Sequence, residues 1–306
     1  MLPKPPPRES SLGFLYLPPY RVQGLSVAGE ATCIQIPELD LCFDMGSCPR
    51  AALASNFVAL SHGHMDHVGG LAYYCSQRRF QGMGDGTIVC DARIESDVRT
   101  MLEGFQALER QVTPFNLVPL QEDEVFKLKN NVSLKGFHTE HTAPSMGYSI
   151  IEHRTKLKPE YTDFPQEKLR ELKNRGEEIT RNLEVPLISY LGDTAAGSHL
   201  LRDDVLKSKI IITECTFFDP GHRGRANIGK HLHAADIAEW LRVAECDAMV
   251  LVHVSRRTHL GEARAQLTEG LREEDIGRVH FLMDHRTNRM RYEQQLAEAE
   301  AAHVKV

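Results

Sequence analysis

The chain has 306 residues, of which 42% are hydrophobic and 25% are charged, a composition typical of a globular protein. Its formal net charge of −6 argues against a broad nucleic-acid-binding face, although it leaves room for a local basic patch. No apolar run is long enough to span a bilayer, so we expect no membrane association.

The two ends of the chain differ in character from its middle. The N-terminus, MLPKPPPRES, is proline-rich and too poor in apolar residues for a signal peptide, so we expect a flexible tail over residues 1–20. Residues 286–306 predict a C-terminal helical tail, and residues 21–285 then form one domain. The seven cysteines are irregularly spaced, which favours reduced thiols in the cytoplasm over a disulfide framework.

The predicted elements alternate between groups of strands and single helices. The strands are short apolar or alternating runs bounded by turn residues, and they cover residues 21–29, 32–39, 41–46, 57–60, 125–137 (as a hairpin), 147–153, 186–193, 209–214 and 248–254. The helices show an apolar face or a charged surface, and they cover residues 67–79, 94–110, 164–179 and 231–245, with a further helix from residue 261. This alternation predicts a layered α/β domain whose site lies in loops at one edge of the sheets.

A dense group of ligand-type side chains follows the predicted strand at residues 57–60. The sequence SHGHMDHVGG places His62, His64, Asp66 and His67 within six positions. Alternate residues of an extended segment point the same way, so His62 and His64 can reach one metal ion together. Asp66 and His67 lie where the chain turns into a helix, and their side chains point to a second position beside the one that His62 and His64 reach. The run therefore predicts ligands for two metal ions of the kind that imidazole and carboxylate groups bind.

This run resembles the HxHxDH motif of the metallo-β-lactamase superfamily, which has a four-layer αββα sandwich fold and a dinuclear zinc site. Later segments, HTAPSMGY, YLGDT and LVHVS, match the remaining ligand positions of that family in order. The ligands implied by the resemblance are His62, His64 and His141 for one zinc, Asp66, His67 and His253 for the other, and Asp193 as a bridge. Mn²⁺ or Fe in place of Zn²⁺ is also compatible with this set.

Two histidines compete for the third position of the first ligand group. His138 and His141 both lie in FHTEHT. The distance from His141 to Gly147-Tyr148 matches the spacing in the family, so we expect His141 to be the ligand and His138 to lie outside the site.

Further motifs are similar to those of the ribonuclease Z group, the tRNA 3′-processing endonucleases, in its short plant-type form. The segment IITECTFFD resembles the HEAT motif with Glu214 at the glutamate and Thr213 in place of the histidine, and KHLHAADIAEW places His231 at a helix start. The resemblance implies that Glu214 orients His231 as a proton donor to the leaving group and that Asp66 takes part in catalysis. A Gly- and Pro-rich arm that grips tRNA in long-armed members is not evident, and the stretch between Tyr148 and Pro186 predicts a charged helix instead.

A basic loop between the two candidate catalytic residues is the best candidate for phosphate contacts. The predicted substrate-binding residues are Arg223, Arg225, Lys230 and Arg256. An ordinary solvated charge run is the competing interpretation.

Three functions are therefore open. The first is a zinc-dependent endoribonuclease that removes the 3′ trailer of precursor tRNA, as a cytoplasmic homodimer by resemblance to the family. The second keeps the fold but hydrolyses a small ester, thioester, lactone or cyclic phosphodiester. The third, a non-catalytic scaffold, is disfavoured because the ligand set is complete.

Overall fold

The computed structural model describes residues 2–303 and contains two seven-stranded sheets. The strands of the first sheet are adjacent in chain order and are β1 (Gly13–Leu17), β2 (Tyr20–Val27), β3 (Ala31–Ile36), β4 (Leu41–Phe43), β5 (Phe57–Ala59), β6 (Gly86–Asp91) and β7 (Phe115–Leu120). The strands of the second sheet are β8 (Val125–Lys129), β9 (Val132–Thr139), β10 (Ser145–Leu157), β11 (Thr180–Tyr190), β12 (Ile210–Glu214), β13 (Ala248–Val252) and β14 (Val279–Phe281).

Each sheet begins antiparallel and ends parallel. Strands β1 to β4 and β8 to β11 form antiparallel meanders, and the strands after them pair in parallel through helical crossovers. The helices are α1 (Arg50–Leu53), α2 (Met65–Val68), α3 (Leu71–Phe80), α4 (Glu95–Glu109), α5 (Gln166–Asn174), α6 (Asp203–Leu206), α7 (Arg223–Gly229), α8 (Ala234–Leu241), α9 (Leu260–Gly270), α10 (Glu273–Ile276) and α11 (His285–His303). None of the helices within residues 2–303 combines the length and the apolar character needed to cross a membrane.

Three apolar clusters show how the layers pack. The inner faces of the two sheets meet in one cluster, which includes Ile34, Phe43, Tyr148 and Ile212. The outer face of the first sheet packs against α1, α3 and α4, and the outer face of the second sheet packs against α8 and α9. The predicted four-layer αββα sandwich is therefore confirmed, and burial of both faces explains why its parallel strands are almost wholly apolar.

The predicted helix over residues 67–79 is divided into α2 and α3 at Gly69 and Gly70. A Cβ atom on Gly70 would lie 2.7 Å from the carbonyl carbon of Ser47, and one on Gly46 would lie 1.7 Å from the carbonyl oxygen of Asp66. The glycines thus let the histidine run pass very close to the loop after β4. The predicted helix at residues 94–110 and the hairpin at residues 125–137 are confirmed as α4 and as β8 with β9.

The two predicted tails compare differently with the structure: the predicted C-terminal helix is present as α11, whereas the N-terminal tail was predicted to extend too far. Residues 13–17 form β1, which is fully buried, so the tail boundary at residue 20 is wrong for this part. The chain end packs on that strand: the rings of Phe14 and Tyr292 lie 5.4 Å apart, and Gln295 Nε2 donates to the carbonyl of Tyr16 at 3.1 Å. Residue 1 and residues 304–306 of the two predicted tails lie outside the described residues.

An arm protrudes from the second sheet where the sequence predicted only a charged helix. Strand β10 pairs with β9 as far as Glu152, whereas its pairing with β11 continues to Leu157 opposite Thr180. The connection carries α5, which buries none of its residues. The helix is thus present, but it sits at the end of a two-stranded ribbon.

Candidate metal centre

The histidine run leaves the end of β5 and enters α2, and its side chains converge with a histidine from the β9–β10 loop. His62 Nε2 lies 3.0 Å from His64 Nδ1, which lies 3.3 Å from Nε2 of His141. His62 is fully buried and His141 is nearly so, whereas His64 is partly exposed. The first predicted ligand group is therefore brought to one point, with one ring nitrogen from each residue.

The second predicted group forms beside the first. His253 follows β13 with a left-handed backbone, φ +57°, and its Nε2 lies 3.3 Å from Asp66 Oδ2. His67 Nε2 lies 3.7 Å from the same carboxylate oxygen. These three side chains could hold one cation.

Asp193 lies between the two groups, after β11. Its Oδ2 atom is 3.9 Å from Nε2 of His62, 3.4 Å from Nε2 of His67 and 3.3 Å from Nε2 of His253. The preceding Gly192 has φ +61°, and a Cβ atom there would lie 2.5 Å from the Cβ of Ser61. Glycine is therefore required for this turn to approach the histidine run.

Asp44, at the end of β4, is a part of the site that the sequence analysis missed. Its buried carboxylate accepts hydrogen bonds from Nδ1 of His67 at 2.8 Å, from the backbone of Ser61 at 2.7 Å and from the hydroxyl of Tyr190. An aspartate at the end of an apolar strand was the only sequence signal. Because Nδ1 of His67 donates to Asp44, Nε2 is the ring nitrogen that faces the ligand cluster.

The other histidines are fixed in the same way. Ser61 Oγ donates to Asp44 and so accepts from Nδ1 of His62 at 3.0 Å, and the carbonyl of Lys230 accepts from Nδ1 of His141 at 3.1 Å. These bonds leave two Nε2 lone pairs facing the single Nδ1 of His64, which can donate to only one of them.

A bound cation would accept the lone pairs of His62, His64 and His141 together, so this donor set fits a metal. His67 Nε2 is buried and has no hydrogen-bond partner within residues 2–303. Burial lowers the pKa of His62 to about 2 and that of His141 to about 4, which keeps both in the neutral form that binds metals. Burial opposes ionisation of Asp66 and Asp193, but the neighbouring histidines hold the pKa of both carboxyls well below the usual value.

Glu214 and His231 form a hydrogen-bonded pair at the edge of this cluster. Glu214 ends β12 and is fully buried, and its carboxylate accepts from Nδ1 of His231 at 2.7 Å, from the backbone of Thr194 at 3.0 Å and from the hydroxyl of Thr216 at 2.6 Å. Burial lowers the pKa of His231, but the hydrogen bond and charge of Glu214 outweigh it and raise the pKa overall. His231 can therefore carry a proton beside the cluster.

A cavity of about 600 Å³ opens onto the cluster and is lined by Arg225 and Arg257. Of the four predicted phosphate contacts, only Arg225 lines this cavity, and the other three pair with acidic side chains that no sequence pattern indicated. Their partners are Asp236 for Arg223, Glu140 for Lys230 and Glu30 for Arg256.

The competing His138 does not join the cluster. Its Nδ1 atom lies 3.4 Å from Oε2 of Glu122, and its Nε2 atom lies 3.7 Å from Oδ2 of Asp91. This placement agrees with the choice of His141.

Comparisons of the sequence and fold with known proteins identify the family of this chain. The family described as Beta-lactamase superfamily domain matches residues 46–254. The chain is 34% identical to tRNase Z TRZ1 of Arabidopsis thaliana over 241 residues, 78% of this chain and 86% of the relative. It is 33% identical to the chloroplastic tRNase Z TRZ2 of the same plant over 248 residues, 80% of this chain and 70% of the relative.

Solved structures support the fold. The short form of human tRNase Z superimposes with a TM-score of 0.55 at 15% identity, covering 88% of this chain and 95% of that one. The metallo-beta-lactamase fold protein YhfI from Bacillus subtilis gives a TM-score of 0.57 at 15% identity, covering 88% and 94%. The chain therefore belongs to the beta-lactamase superfamily and, within it, to the ribonuclease Z family of metal-dependent hydrolases.

Proposed function

We propose that the protein is a zinc-dependent endoribonuclease that removes the 3′ trailer of precursor tRNA by hydrolysis of one phosphodiester bond. The observation that carries this proposal is the Glu214–His231 pair, set within reach of a complete set of metal donors. The relatives are named tRNase Z and ribonuclease Z, which supports RNA as the substrate class.

We assign the seven clustered side chains to two zinc ions. The assigned ligands are His62, His64 and His141 for one ion, Asp66, His67 and His253 for the other, and Asp193 between them. When bound, the two ions supply Lewis acidity that neutralises charge on the reacting phosphate.

The protein side chains would then handle the protons. Asp66 Oδ2 accepts from the backbone N–H of Gly29 at 2.9 Å, which holds the carboxylate in place to orient the attacking water. His231, kept protonated by Glu214, would donate to the departing 3′ oxygen. The raised pKa of His231 supports this role, because the proton stays on the imidazole to a higher pH.

The arm formed by β10, β11 and α5 supports an RNA substrate over a small ester. A small-molecule hydrolase needs no element outside its catalytic cavity, whereas a tRNA extends far beyond a cavity of about 600 Å³. The arm stands clear of the sheet, and no residue of α5 is buried. We propose that it contacts the body of the tRNA.

An exposed apolar patch on α3 and α4 supports a homodimer. Tyr73 and Phe80 are 56% and 82% exposed and lie two turns apart on α3, while Phe105 and Leu108 are 45% and 80% exposed on α4. Ser76 Oγ donates to Glu109 at 3.1 Å, which sets these two faces side by side. Patches of this kind mark protein–protein contacts, and we propose a second copy of the chain as the partner.

We propose a cytoplasmic location. All seven cysteines are free, which supports a reducing compartment. Relatives with the words chloroplastic and nuclear in their names make the compartment a necessary test, for which a fluorescent fusion of the full chain is suitable.

The central experiment is incubation of the purified protein with a 3′-extended precursor tRNA and Zn²⁺, with Mn²⁺ and Fe²⁺ in parallel. We expect a single cut after the discriminator nucleotide that leaves a 3′ hydroxyl on the tRNA. An Asp193→Ala variant is the matched control without cleavage. An intact precursor together with hydrolysis of a small ester or cyclic phosphodiester would replace this proposal with the small-molecule alternative.

A further inference from the structure

Two adjacent phenylalanines follow Glu214, and they differ in burial. Phe218 is 4% exposed and belongs to the apolar cluster under the second sheet. Both residues line the cavity that opens onto the metal cluster, but Phe217 is half-buried and is the more exposed of the two. An aromatic ring on the wall of a mostly polar cavity leaves apolar surface in water, which is unfavourable until a ligand covers it.

The backbone of Phe217 is fixed on both sides. Its N–H donates to the carbonyl of Leu232 at 3.4 Å, and its carbonyl accepts from the N–H of Ala234 at 2.8 Å. These two bonds form a β-bridge between Phe217 and His233, the residue that caps the start of α8. The ring is thus presented to the cavity from a rigid position.

The surroundings of the ring suit a flat, electron-rich ligand. The Arg225 guanidinium carbon lies 5.7 Å from the ring centroid, and the ring of His222 stands edge-on at 6.2 Å. Arg225 Nη1 lies 3.4 Å from Nε2 of His222, and within the described residues no carboxylate pairs with Arg225, so its charge is available to a ligand. Aromatic rings with a neighbouring arginine are common platforms for nucleobases.

The position of the ring relative to His231 indicates which base it would take. The two ring centroids lie 6.1 Å apart. Under the proposed function, His231 protonates the leaving 3′ oxygen, and one ribose separates that oxygen from its own base. We propose that Phe217, with Arg225, forms a stacking platform for the nucleobase on the 5′ side of the scissile phosphate, the discriminator base. This inference rests on the proposed function.

The test compares two precursor tRNAs that differ in one base. One has its natural discriminator nucleotide, and the other has an abasic ribose at that position. We expect the wild-type protein to lose about tenfold in kcat/KM on the abasic substrate, the effect of one lost stacking contact. Phe217→Leu should show the same loss on the natural substrate and no further loss on the abasic one.

Two control variants separate stacking from a structural role. Phe217→Tyr keeps the ring and should retain the wild-type preference for the natural substrate. Phe218→Leu alters the neighbouring residue, which lines the same cavity but is buried in the apolar cluster, and it should lower thermal stability while keeping that preference. If Phe217→Leu discriminates between the two substrates as strongly as the wild type, the platform does not exist.

The two proposals fail in different ways. Cleavage of both RNAs with unchanged discrimination in Phe217→Leu overturns the platform alone. If the wild type cleaves neither RNA yet hydrolyses bis(p-nitrophenyl) phosphate, the ribonuclease proposal and the platform are overturned together.

Discussion

His231 donates a hydrogen bond from Nδ1 to Oε1 of Glu214 at 2.7 Å, although the two residues are 17 positions apart. The carboxylate is fully buried, so its charge is poorly screened and acts strongly on the imidazole. This contact joins the end of β12 to the segment before α8 and defines the proposed proton donor.

The Glu214→Gln variant should shift the pH profile of the reaction. Glu214 raises the pKa of His231, so its removal lowers that pKa, and the imidazole loses its proton at a lower pH. Because the protonated form is the proposed acid, activity should begin to fall at a lower pH than in the wild type. The measurement is kcat/KM for precursor tRNA across pH 5 to 10. An unchanged alkaline limb would show that His231 is not the acid.

Variants of His64 and His231 should separate metal binding from proton transfer. His64→Ala removes the ring nitrogen that faces both His62 and His141, so the zinc content of the purified protein should fall. His231→Ala leaves all seven proposed ligands in place, so zinc content should stay at the wild-type level while kcat drops by roughly 10²- to 10⁴-fold. Metal analysis and turnover on the same preparations decide this. Equal loss of metal in both variants would contradict the division of roles.

Thr216→Val should weaken zinc binding without removing a ligand. The hydroxyl of Thr216 donates to Glu214 at 2.6 Å and therefore accepts from Nδ1 of His253 at 3.0 Å, which leaves Nε2 of His253 free to bind metal. Loss of such an orienting bond lowers metal affinity by about 10- to 100-fold. Competition with a chelator measures this change.

The control for this experiment lies three residues earlier in the chain. Thr213 is also fully buried, and its hydroxyl donates to the backbone carbonyl of Glu214 at 3.3 Å. Thr213→Val makes the same chemical change away from His253 and should leave zinc affinity close to that of the wild type. A similar loss of affinity in both variants would assign the effect to general destabilisation.

A charge placed in the apolar patch should prevent dimer formation. Leu108 is 80% exposed on α4, so Leu108→Glu has little effect on the core but places a carboxylate in the proposed interface. Sedimentation velocity should show a dimer for the wild type and a monomer for this variant. Val243→Glu changes an apolar residue that is 51% exposed outside the patch, and it should remain dimeric. A wild-type monomer at all accessible concentrations would exclude the proposed interface.

Local patterns were sufficient for the parts of this protein that depend on neighbouring residues. His62 and His64 were expected to share a cation because alternate residues of an extended segment face the same way, and their ring nitrogens lie 3.0 Å apart. The hairpin at residues 125–137 and helix α4 followed from periodicity alone. The arm was missed because both strands were predicted too short, at residues 147–153 and 186–193, and the charged residues between them concealed the extensions that pair Leu157 with Thr180.

The sequence by itself determined which side chains could serve as donors, because metal affinity depends on residue type and on spacing within one strand-to-helix turn. Tertiary structure alone decided how these donor side chains are oriented and which arginine side chains face the cavity. Asp44 orients His67 and accepts from Tyr190, 146 positions away, and Arg256 turns to Glu30 while Arg225 faces the cavity. Such choices depend on distances between segments that meet only when the two sheets pack, and no local pattern encodes them.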